Sequence, residues 1–348
     1  MDILEAFADG TMRADTATAD EIAQLVAAAA LQAPSLHNSQ PWRFYHADHE
    51  FTIVANNERQ VRIADPLGRE MMISCGAALF NARVAICYLN FVPKVRVLPE
   101  PDLPNEVARV TWDEQMPSRT RDKELFAQIT KRRTHRGGFD EVPLPASLLA
   151  ALGEAAAAEQ ATLTLLAGDL LRTRAVAAVV EAGDCALRLD AARAKEEARW
   201  APGPASHRLD GVPPTAYTAV PESTEPLFRH RDYAHGHGWG LPAKQEDPTV
   251  RSAGVVGVLS TIGDKPADWI HAGEALQRVL LAASSSSVAA AMHSQPLEIP
   301  QLRDFMRDCL CDGAYPQMVL RFGITDERAV SVRHPAADVL FRAHPHAQ

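Results

Sequence analysis

The chain has 348 residues, 47% apolar and 23% charged, with 35 basic against 44 acidic side chains and a formal charge of −9. That balance suits a folded protein with a sizeable core and excludes wholesale disorder. An acidic chain without a long lysine/arginine block is also a poor general binder of nucleic acid or anionic membrane.

In chain order, the acidic start Met1-Asp2-Ile3-Leu4-Glu5 lacks a signal-peptide pattern, and no uninterrupted apolar run reaches the roughly 18 residues of a membrane span. Thr18-Ala19-Asp20-Glu21, followed by Ile22, Leu25, Val26 and Ala29, predicts a helix that stops at Pro34. Residues 42–46 and 51–54 predict a hairpin, 70–89 a buried helix, and 95–97 and 107–110 short strands. The order then begins again, with a helix over 145–158, a strand over 161–166 and a helix over 171–189. An apolar strand over 254–261, a long helix over 269–292 and a strand over 317–322 complete it. Gly76-Ala77-Ala78-Leu79 in one central helix matches Gly273-Glu274-Ala275-Leu276 in the other. Two α+β halves, 1–120 and 121–348, are therefore expected as an internal repeat.

A proline-rich segment over about 195–247 interrupts the second half, carrying Trp200, Tyr217, Phe228, Tyr233 and Trp239. Its length and aromatics predict a lid ordered over a site. His230, His235 and His237 lack helical metal-ligand spacing, so the lid reading is preferred there to a metal site. Five cysteines without framework spacing read as reduced thiols, and the expected location is the cytoplasm. Asp65 to Glu70 reads as a turn and helix cap, and the run Ser284 to Ser287 as close helix packing or a polar floor.

Three stretches carry candidate chemistry. Ala33-Pro34-Ser35-Leu36-His37-Asn38-Ser39-Gln40-Pro41-Trp42 leads from a helix into a strand through hydroxyl and amide side chains. Amides both donate and accept, which suits the edge of a heterocycle, although an ordinary connecting loop has the same composition. Arg132, Arg133, Thr134 and Arg136, beside Lys131, concentrate charge in an acidic chain. Arginine forks match phosphate oxygens; a solvated charge run is the alternative. The third stretch is Gln295-Pro296-Leu297-Glu298, with Arg333 further along.

The first stretch resembles the flavin-contacting loop of the nitroreductase family, and the arginine stretch resembles that family's phosphate-gripping motif. The resemblance implies FMN held by Ser35, His37, Asn38, Gln40, Arg132, Arg133, Thr134 and Arg136. It further implies that a backbone amide in Pro296, Leu297 or Glu298 approaches the flavin, and that Arg333 assists at the phosphate. In that family two subunits share each site. Here the loop lies in the first half and the arginines in the second, which resembles the Acg-like tandem branch: a pseudo-dimer retaining one complete site. Gly10-Thr11-Met12-Arg13 is all that stands where the first half's arginine motif belongs. The implied function is NAD(P)H-dependent reduction of nitro or quinone-like acceptors, by a monomer or homodimer without nucleic-acid or membrane partners. Non-catalytic storage, sequestration or sensing of FMN beneath the lid is the alternative.

Overall fold

The computed structural model describes residues 3–8, 17–217, 222–229, 231, 249–327 and 329–342. Much of the expected lid, including His230, His235 and His237, lies outside these residues, as does the Gly10 to Arg13 stretch.

The first half begins with a short helix α1 (Ile3–Ala8) and then α2 (Ala19–Leu31), which Thr18 and Glu21 start with a reciprocal capping box. The hairpin β1 (Trp42–Ala47) and β2 (Glu50–Ala55) follows, then α3 (Arg69–Tyr88), β3 (Lys94–Val97) and β4 (Glu106–Thr111). A helix α4 (Thr120–Ile129) leads into the second half: α5 (Ala146–Ala157), β5 (Thr162–Leu165), α6 (Leu170–Leu189) and α7 (Ala191–Ala198). A small parallel pair, β6 (Glu222–Glu225) and β7 (Thr249–Ser252), precedes β8 (Val255–Thr261) and α8 (Pro266–Ser285). The chain closes with β9 (Ala289–His293), α9 (Pro300–Leu310), β10 (Tyr315–Gly323) and β11 (Leu340–Arg342). This is an α+β fold.

Two sheets have one plan. The first runs β1-β2-β4-β3 and the second β5-β8-β10-β9, antiparallel throughout, with β11 added in parallel at the β1 edge. In each half a 20-residue helix, α3 or α8, joins the second strand to the next. These helices cross through reciprocal close contacts. A Cβ on Gly76 would overlap the Ile270 carbonyl, and one on Gly273 would overlap that of Ile73. The separations agree, since 273 − 76 and 270 − 73 are both 197. Such exchange of equivalent contacts is the geometry of a two-fold interface.

One continuous core, from Leu4 on α1 to Phe322 on β10, runs through both halves, so neither half buries its apolar face alone. α3 is long and apolar enough to cross a bilayer by composition, but nearly every residue on it is buried in that core. The helix expected over 269–292 stops at Ser285, where the serine run turns the chain through a left-handed Ser287 into β9. Serines compete for backbone hydrogen bonds and favour helix ends, which explains the break. Ser285, Ser286 and Ser287 are exposed, so the run forms a corner and no cavity floor.

Candidate functional site

α2 ends with no basic residue in its own last turn, leaving backbone carbonyls without helical partners. Cations from the second half meet them. Arg333 donates from Nε to the Leu31 carbonyl at 2.7 Å and from Nη2 to that of Ala33 at 3.1 Å, while Arg132 donates from Nη2 to that of Gln32 at 3.2 Å. The loop beyond turns sharply, with His37, Asn38 and Gln40 all at positive φ (51°, 54° and 49°). For side-chain-bearing residues this conformation needs support from its surroundings.

That support is built from the loop's own polar groups. Ser35 Oγ accepts from the Gln40 amide at 2.9 Å. Asn38 donates to the carbonyls of Gly211 (3.0 Å) and Val332 (3.1 Å), and its oxygen accepts from Arg333 at 2.8 Å. Gln40 donates to the Leu209 carbonyl at 2.7 Å and accepts from the His334 amide at 3.0 Å. The side chains expected to face a heterocycle therefore pin two distant segments, 209–211 and 332–334, against the loop. Asn38 still borders a cavity; Gln40 is sealed in the protein.

A cavity opens between the halves. Ile73 (α3), Leu276 (α8), Met292 (β9) and Met318 (β10) supply its apolar surface. Ser35, His37, Glu70 and Ser294 supply polar groups, and Arg136 and Arg231 supply cations. Pro34, Ser35, Thr134, Arg136, Val212 and Met292 also border a second cavity, to which Asn38, Ser331 and Arg333 contribute. The two cavities thus adjoin, the first mainly apolar and the second bordered by Arg136 and Arg333. Thr134 and Arg136 are placed by a parallel bridge from Thr134 to Ala290 at the edge of the second sheet.

Among the described residues no carboxylate pairs with Arg132, Arg133, Arg136 or Arg333. Burial first, then neighbouring guanidinium groups, push Arg132 and Arg333 down to about 9. Among the described residues, buried Arg132 makes the one bond to Gln32, and its Nε and Nη1 have no partner. A buried, uncompensated guanidinium is costly, so the arrangement calls for an anion. Arg132 and Arg133 stand behind the wall, and Arg133 bonds the carbonyls of Thr130 and Arg132. Arg136, with only two long bonds of 3.4 Å, is the cation both compartments share.

The Gln295–Glu298 turn is wholly buried, but only Gln295, preceded by Ser294, reaches the cavity. Pro296 packs on Gly183, Leu297 enters a core cluster, and Glu298 accepts from Ser294 Oγ at 3.0 Å and from Arg231. Glu298 therefore holds Arg231 on the wall instead of lining it. Sequence reasoning missed Glu70 and Arg231. Burial, followed by the Glu298 charge, raises the Glu70 carboxyl to about 8. Burial, Arg231 and Arg136 together hold His37 well below the usual histidine range.

The chain is thus an α+β protein with one core shared by both halves and an arginine-edged cavity between them. No family model matches the chain. It is 30% identical over 304 residues to Rv3131 of Mycobacterium tuberculosis, named as an NAD(P)H nitroreductase, covering 87% of this chain and 85% of that one. Acg of the same organism, named likewise, is 28% identical over 314 residues, 90% of this chain and 92% of its own. A solved Bacteroides fragilis nitroreductase with bound FMN has a TM-score of 0.34 and 14% identity, covering 61% of this chain and 93% of that one. The chain belongs to the nitroreductase family.

Proposed function

We propose that the chain binds one FMN and uses NAD(P)H to reduce an electron-poor small molecule of the nitro or quinone type. The observation that carries this reading is the arginine cluster, without a carboxylate partner among the described residues, at the edge of the cavity between the halves. Thr134, Arg136 and Arg333 border that edge and would hold the phosphate, with Arg132 and Arg133 adding field from behind. Ile73, Leu276, Met292 and Met318 offer the apolar surface a ring system needs. FMN supplies two-electron chemistry, and the protein supplies binding, orientation and electrostatics.

The matching strand orders and the reciprocal Gly76 and Gly273 contacts support a fused pseudo-dimer, with loop 33–40 from one half and residues 132–136 from the other in one site. Reconstitution should give one FMN per chain by absorbance and phosphorus analysis. Two per chain overturn the single-site reading, and none overturns the cofactor reading.

Flavin holding without catalysis is a second reading, favoured by one observation. Gly211 and Asn38 bond each other in both directions, and Val212 borders both cavities, so residues 209–212 cover the site. Anaerobic mixing with NADPH separates the two. Rapid bleaching supports the reductase, whereas reduction by dithionite but not by NADPH supports the holder.

A further inference from the structure

Resting on the reading of an FMN-dependent reductase, we propose that Glu70 is the proton donor to the reduced substrate. Reduction of a quinone needs a hydride equivalent and one proton: the hydride comes from reduced FMN, and the remaining oxygen becomes a phenolate until protonated. An anionic oxygen left against the apolar wall is unfavourable, so a proton donor on the wall lowers the barrier.

The wall offers few candidates. Arg136 and Arg231 are cations, Ser35, Ser74, Thr134 and Ser294 are weakly acidic hydroxyls, and the buried His37 is kept neutral between the two arginines. Glu70 is the remaining titratable group among the described wall residues. It is 3% exposed, and Arg69 Nη2 donates to Oε1 at 2.7 Å while Oε2 has no hydrogen-bond partner among the described residues. Groups facing it come from every side: Asp65 from the preceding turn, Arg69 from its own helix, Glu298 from the turn after β9, and Arg231. The two carboxylates work against ionisation and the two arginines for it; burial tips the balance to the acid. Asp65 is bound by the Met71 amide, and Glu298 sits behind Ser294 and Arg231, so neither reaches the cavity as directly. In the balanced step quinone, hydride and the Glu70 proton give hydroquinone and the Glu70 carboxylate, which solvent then reprotonates.

The test follows the oxidative half-reaction, independent of NAD(P)H. FMN-loaded protein, reduced with dithionite, is mixed anaerobically with benzoquinone. Glu70→Gln, once loaded with FMN and reduced by dithionite, should reoxidise roughly 10²–10⁴-fold more slowly. Glu70→Asp should recover part of the rate. The wild-type rate should fall as pH rises through about 8, where Glu70 loses its proton, and Glu70→Gln should lack that fall. Infrared difference spectra of FMN-free protein between pH on either side of that value should show a protonated-carboxyl band missing in Glu70→Gln. An unchanged rate and pH profile in Glu70→Gln, or an unchanged carboxyl band, overturns the assignment. If that variant does not fold, a wild-type rate flat across this pH range and insensitive to deuterated solvent overturns it. Wild-type protein that binds no FMN, or whose reduced FMN ignores quinone, instead overturns the reductase reading beneath it.

Discussion

Two arginine clusters in this molecule have opposite surroundings. On the α3–α8 side, Arg83 pairs with Glu159 and Glu274, Arg278 pairs with Glu159, and His271 lies against Glu274. Burial works against the Arg83 charge, yet the two glutamates raise it further above its ordinary value. Around loop 33–40, Arg132, Arg133, Arg136 and Arg333 have no described carboxylate, and those with strong shifts are pushed down. The same residue type is thus a structural tie in one place and an uncompensated charge in the other. What separates them is the presence of counter-charge within the fold.

The largest effect should come from breaking the satisfied cluster. Glu159→Gln leaves Arg278 without its partner and Arg83 with one, and should cost roughly 2–4 kcal/mol in urea unfolding, with FMN stoichiometry intact in the native state. A loss of FMN without a loss of stability would reverse the roles assigned to the two clusters. In the unsatisfied cluster the order inverts. Arg136→Ala should weaken FMN by about 10- to 100-fold in equilibrium titration while changing the stability of FMN-free protein little. Arg133→Ala, lying off the cavity wall, should do less, and an equal loss in both would reject the geometry.

A smaller effect concerns pH. Burial lowers His135, between these arginines, to about 4. The unfolded chain takes up this proton below about 6.5 and the folded chain only near 4, so the stabilisation present above 6.5 is lost as pH falls through that window. His135→Gln should flatten this part of the urea-midpoint profile. Smallest is Arg132→Met, which removes a buried charge with two unpartnered nitrogens. FMN-free protein should keep its stability or gain about 1 kcal/mol. A clear loss would show that Arg132 is already compensated.

Much of the architecture was legible in local pattern. The capping box of Thr18 and Glu21, the 42–55 hairpin and the apolar 69–88 helix depend on neighbours in sequence. The helix over 269–292 was overextended because Val288 to Met292 is apolar and suits either state; only its pairing with β10 decides. In the site, Thr134 and Arg136 stood out by charge and spacing. Asn38 and Gln40 have the expected chemistry, but their partners lie 169 to 295 positions away, and no local pattern announces such contacts. Glu70 read as part of a cap because its importance comes from burial between Glu298 and Arg231, which folding alone creates.

The shared core has a consequence for how the site responds to dilution. In a two-chain arrangement, a pocket drawing on both partners is diluted away once the protein concentration falls below that needed for association. Here residues 34–38 and 134–136 meet within one chain, joined through α3 and α8, so assembly of the pocket is intramolecular and independent of protein concentration. FMN affinity should therefore be the same at nanomolar as at micromolar protein.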